Sequence, residues 1–118
     1  MHFNTSKEFG ETDEAFDQRV KAWIEGLDQE SDGSIVLPLE WPKTFTFKGS
    51  DGNREEELAE LKLRRPTGAD RRAIKLSDQP TKILLDRLAR LTGLTDKQVD
   101  ALDEADLDRA ELVIGNFS

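Results

Sequence analysis

At 118 residues the chain fits one domain, or one domain with an arm, and its lack of cysteine excludes disulfides, zinc–thiolate sites and cysteine nucleophiles. Apolar and charged residues each make up 36%, so the core is modest and the surface strongly solvated. A net charge of −8 repels nucleic acid and anionic membrane, unless a basic stretch is displayed by itself.

Residues 1–11 are polar and aperiodic, which predicts a flexible start. Met1-His2-Phe3-Asn4 has neither the basic nor the apolar part of a signal peptide. No window approaches the roughly 18 apolar residues of a membrane-crossing helix. These features, with the absence of cysteine, fit a cytoplasmic protein without membrane contact.

Over 12–27 the residues Phe16, Val20, Trp23, Ile24 and Leu27 fall on one stripe and predict an amphipathic helix. Thr12 is the expected N-cap, and Asp13 and Glu14 suit the positive end of the helix dipole. Residues 28–34 read as an acidic linker with turn chemistry. The chain therefore divides into an arm, 1–34, and a domain, 35–118. Trp23 and Ile24 either join the core of their own domain or form a docking surface that copies exchange.

Ile35-Val36-Leu37-Pro38-Leu39 is a short extended run that Pro38 demotes to an edge strand or a polyproline-like segment, and Trp41-Pro42 prolongs the irregularity. Thr44-Phe45-Thr46-Phe47 alternates with period two and places both Phe on one face. After a turn near 49–53, alternation resumes through 58–65 with Leu61 and Leu63 inward, so the pair reads as an antiparallel hairpin. Glu55-Glu56-Glu57 faces solvent and protects the edge.

Pro66 ends that strand. Thr67 to Asp70 has the spacing of a capping box and opens a short helix to about Leu76. Ser77-Asp78-Gln79-Pro80 is a second start signal, with Pro80 at the first helical position. The following helix carries Ile83, Leu84, Leu85, Leu88 and Leu91 and closes at Gly93. Leu84, Leu88 and Leu91 share a face, while Leu85 points away and is the expected exposed contact. Thr95 to Gln98 repeats the capping box before Val99 and Leu102. Asp103 caps a last helix with the stripe Leu107, Ala110, Val113, Ile114 and Phe117. The fold class is α+β: an N-terminal amphipathic helix, a small antiparallel hairpin or sheet, then three to four short helices.

Catalytic chemistry finds no footing in these residues. His2 is the single histidine, so no triad can be assembled. Asp96, Asp100, Asp103, Glu104, Asp106 and Asp108 lack the loop spacing of a calcium site and read as caps and solvated faces. The glycines near 49–52 lack the Gly-Lys-Ser/Thr of a phosphate loop. A non-enzymatic protein without cofactor or metal is expected.

Charge is distributed unevenly. Residues 1–61 hold 6 basic and 15 acidic side chains, residues 62–90 hold 9 and 3, and residues 91–118 hold 2 and 7. Such a pattern neutralises itself within one fold or pairs head to tail between copies. Arg64, Arg65, Arg71 and Arg72 bracket Pro66-Thr67-Gly68. They read either as solvated or internally paired arginines facing the acidic tail, or as a surface for an acidic protein partner. A nucleic-acid footprint is the alternative, but no aromatic residue lies between Phe47 and Phe117 to stack on bases.

Four blocks, in order and spacing, carry a resemblance. They are Leu39-Glu40-Trp41-Pro42; the run Glu60-Leu61-Lys62-Leu63-Arg64-Arg65-Pro66-Thr67-Gly68-Ala69-Asp70; Leu88-Ala89-Arg90-Leu91-Thr92-Gly93-Leu94; and Val99-Asp100-Ala101-Leu102-Asp103 with Ala105-Asp106-Leu107. From 39 to 117 the chain resembles the tail assembly chaperone family of Mu-like tailed phages. The first 38 residues depart from it, since members are usually shorter before the hairpin. The resemblance implies a chaperone in the host cytoplasm, absent from the mature virion. Its implied partner is the tape measure protein, with the tail tube protein and further copies of itself as others.

Overall fold

Thr12 caps the first helix as expected: its hydroxyl accepts the Ala15 N–H at 3.1 Å, and α1 runs Asp13–Glu25. The computed structural model describes residues 3–75 and 78–117. Met1, His2, Leu76, Ser77 and Ser118 lie outside them, including part of the expected helix end and the second start signal.

Several of the described residues upstream of α1 are tied back onto it. Arg19 donates to the carbonyls of Asn4 (2.7 Å) and Ser6 (2.8 Å) and to Glu11 Oε2 (2.9 Å). Phe3 stacks on Trp23 with ring centroids 4.3 Å apart. The polar pattern gave no sign of this, because one long cation gathers groups that are not periodic.

Residues 28–34 are not all linker. A tight reversal, with Gly33 at φ +88° and its N–H bonded to the Glu30 carbonyl, folds Asp28 and Gln29 back onto Val36 and Ile35. These two residues form β1 (Asp28–Gln29). The next strand, β2 (Ile35–Gly49), pairs antiparallel with β3 (Gly52–Leu63), and the order β1-β2-β3 makes β2 central rather than an edge. Pro38 is tolerated because β1 accompanies only Ile35 and Val36, which leaves one flank of β2 open beyond them.

The β2–β3 register jumps from Pro38↔Glu60 to Lys43↔Leu58, so residues 39–42 oppose Ala59 alone. This bulge is the irregularity expected at Trp41-Pro42. Past it the hairpin continues to a two-residue turn, with Gly52 at φ +116°.

Both capping boxes form. Thr67 and Asp70 open α2 (Gly68–Ala73), and Thr95 and Gln98 open α4 (Asp96–Asp100). Between them α3 (Pro80–Thr92) starts with Pro80 behind Gln79 and stops at Gly93, φ +75°. Asp103 caps α5 (Glu104–Asn116) by accepting the Ala105 N–H at 2.9 Å. The architecture is α+β.

One core joins all these parts. Leu37, Leu39, Leu61 and Leu63 of the sheet meet Leu88 and Leu91 of α3, Val99 of α4 and Val113 and Ile114 of α5. Ile24 of α1 belongs to the same cluster.

Candidate partner-binding surface

The basic segment is partly consumed by its own fold. Arg64 grips Asp70 through Nη1–Oδ2 (2.6 Å) and Nη2–Oδ1 (2.8 Å), and Arg90 Nε adds a contact to Oδ1 at 3.1 Å. The Thr67 N–H donates to Oδ2 at 2.7 Å. Hydrogen bonding from Arg64, reinforced by Thr67 and Arg90, holds the Asp70 carboxyl far below its ordinary value despite burial, which acts the other way. Arg64 therefore ties β3 to α2, while part of its side chain stays exposed. Its carboxylate comes from within the basic segment, not from the acidic tail. Arg65 lies over the Phe117 ring, 5.6 Å from its centroid.

Arg71 and Arg72 remain exposed on α2. Arg71 and Arg87 flank a cleft of about 390 Å³ whose apolar lining is Pro66, Ile74 and Phe117. On the other flank of α3, Leu85 and Val99 line a groove of about 330 Å³ with Lys82, Asp86, Asp96 and Asp100. Leu85 is half-buried in its wall, so its exposure is partial.

Trp23 and Ile24 part company. Trp23 lines a smaller cleft of about 170 Å³ with Phe3, Leu37 and Arg109. Ile24 is only 5% exposed and cannot serve as a docking residue while α1 is seated.

Two features were not foreseen. Trp41 in the bulge is 54% exposed, and Phe47, farther along the hairpin, is 37% exposed with the Arg54 guanidinium over its ring. The other is a buried ionic network. Asp106 accepts the N–H groups of Glu40 (3.0 Å) and Trp41 (3.2 Å) and is paired with Arg109, whose Nη1 reaches Glu40 Oε2 at 2.9 Å. This network clamps α5 onto the bulge and so fixes where Trp41 sits.

Among the described residues, no helix is long and apolar enough to cross a membrane, and no group of three His, Cys, Asp or Glu is placed to hold a metal ion. A surface of this kind, with apolar clefts rimmed by charge, is suited to protein contacts.

The family model described as phage tail assembly chaperone proteins, E, or 41 or 14, matches residues 39–118. No curated protein and no solved structure matches the chain.

Proposed function

The chain belongs to the phage tail assembly chaperone family, and we propose that it acts there as a non-enzymatic chaperone that binds the tape measure protein in the host cytoplasm. The observation that carries this reading is the family match over 39–118, two-thirds of the chain. A tape measure is a long helical protein with apolar stripes, and such stripes need reversible cover until the tube encloses them. The exposed rings of Trp41 and Phe47 supply apolar contact at low cost in side-chain entropy. A net charge of −8 supplies solubility to the complex.

The direct test is co-expression with the tape measure protein of the same phage. The soluble tape measure fraction is expected to rise in the presence of this chain and to fall back with Trp41→Ser and Phe47→Ser combined. Equal solubility with and without the chain would refute the reading.

A further inference from the structure

Between Leu39 and Leu61 no residue is buried, so the hairpin reaches away from the core as a two-stranded ribbon. β3 is its outer strand. At the base of that edge the Arg64 N–H donates to the Leu91 carbonyl of α3 at 3.1 Å. Farther out, no strand among the described residues accompanies β3. The opposite flank, along β2, is interrupted by Pro38, Pro42 and the bulge, whereas Gly52–Leu63 contains no proline.

The register fixes which backbone groups are free. Gly49↔Gly52 closes the turn as a hydrogen-bonded pair, so Arg54, Glu56 and Leu58 exchange bonds with Phe47, Phe45 and Lys43. The N–H and C=O groups of Asn53, Glu55 and Glu57 therefore point out from the edge of the sheet. Charge divides in the same way. Arg54 pairs with Glu56 at 3.0 Å and lies over the Phe47 ring, so the charges on that face are settled within it. Glu55 and Glu57 lie on the other face, beside Thr46 and Thr44, and among the described residues neither has an ion-pair partner. Lys48, on the same face, pairs with neither.

We propose that the outer edge of β3 takes an extended segment of another protein as an added antiparallel strand, one that sets Lys or Arg at alternate positions against Glu55 and Glu57. Main-chain bonds to Glu55 and Glu57 supply the affinity, and the basic side chains directly opposite them supply the selection. β3 of a second copy is refused, because it would set Glu55-Glu56-Glu57 against its like. The carboxylates that keep copies off this edge thus select a guest of opposite sign. This goes beyond the tape measure reading, which concerns helical stripes, and does not rest on it.

The test is amide NMR and hydrogen exchange on the isotope-labelled full chain, titrated to about 1 mM with a short peptide that alternates Lys and Val. Two control peptides keep its charge. One gathers the Lys residues in a block, and the other is N-methylated on the Lys backbone nitrogens, so that it cannot bond to an edge. With the alternating peptide in about tenfold excess over its Kd, the amides of Asn53, Glu55 and Glu57 should exchange about tenfold more slowly. Those of Arg54, Glu56 and Leu58, already bonded to β2, should keep their rates. Both controls should bind at least about tenfold more weakly. Glu55→Lys with Glu57→Lys should lower the affinity for the Lys peptide at least about tenfold and confer binding to a Glu–Val peptide. Circular dichroism checks that this variant is folded. If it is not, Glu55→Gln with Glu57→Gln takes its place and should weaken binding at least about threefold. No response at about 1 mM would overturn the proposal. So would controls that bind as tightly, outward and inward amides that respond alike, or folded variants that bind as wild type does. Glu55 and Glu57 amides protected in the chain alone would do the same, since the edge would already be taken. No reading here involves the tape measure protein, so the two ideas fail independently.

Discussion

Arg64 and Asp70 face each other fork to fork, with contacts of 2.6 and 2.8 Å, six residues apart and across the junction between a strand and a helix. The carboxylate is buried while the guanidinium is close to half exposed. Removing the acid therefore strands two partly hydrated arginines and deletes the α2 cap. Asp70→Ala should cost about 1–3 kcal/mol, discounted for that hydration. The carboxyl binds its proton less tightly folded than unfolded, so its contribution is complete above its ordinary 3.8 and is lost as pH falls below that. Urea unfolding of wild type and Asp70→Asn should differ most near pH 7 and converge in acid. A gap that stays constant with pH would contradict the assignment.

The Asp106–Arg109 pair is more deeply placed, with side chains 0% and 4% exposed. Asp106→Ala leaves Arg109 buried with only Glu40 for company and frees two N–H groups of the bulge. A loss of about 3–5 kcal/mol is expected, a large share of the stability of a domain this size. Replacing both, Asp106→Leu with Arg109→Met, should cost less than Asp106→Ala, because no charge is left uncompensated. Thermal melts of the single and double variants decide this, and strictly additive losses would count against a coupled pair.

Two glycines with positive φ separate backbone strain from crowding. A Cβ at Gly93 meets nothing within 4 Å, whereas one at Gly33 would lie 2.9 Å from Arg65 Cδ. Gly93→Ala should cost about 1 kcal/mol from its left-handed backbone alone. Gly33→Ala should cost more, and adding Arg65→Ala should recover the excess. Equal losses at both sites would mean that Arg65 yields freely.

Features set by neighbouring residues were legible in the sequence. Thr12, Thr67 with Asp70, Thr95 with Gln98, and Gly93 each act within one turn, so spacing alone reveals them. The hairpin was legible for the same reason, down to the inward Leu61 and Leu63. β1 was not, because two residues form a strand only once Gly33 has turned the chain onto β2. Nor was the depth of Ile24 beside Trp23, since a helical stripe gives a face but not how far each member sinks. Asp106 was the hardest. An acid in the first turn of a helix is ordinary, and only a bulge 65 residues away makes this one different from Asp100 or Asp108.

Arg19 offers a reading of how the arm is fastened. Its guanidinium sits over the rings of Phe3 (4.9 Å) and Phe16 (5.2 Å) while donating to Asn4, Ser6 and Glu11. Its own pKa is raised, and that of Glu11 lowered, chiefly by the hydrogen bond between them. Arg19→Ala should release residues upstream of α1 without unseating the helix, which is held to the core by Ile24 with Val20 and Trp23 packed beside it. In a Trp41→Phe background the remaining Trp23 should then lose its Phe3 cover and emit further to the red. Limited proteolysis should cut before residue 12 sooner, while the global unfolding midpoint barely moves. If the midpoint falls along with the Trp23 signal, the start and α1 come away together, and the arm is fastened as one unit rather than at two separate points.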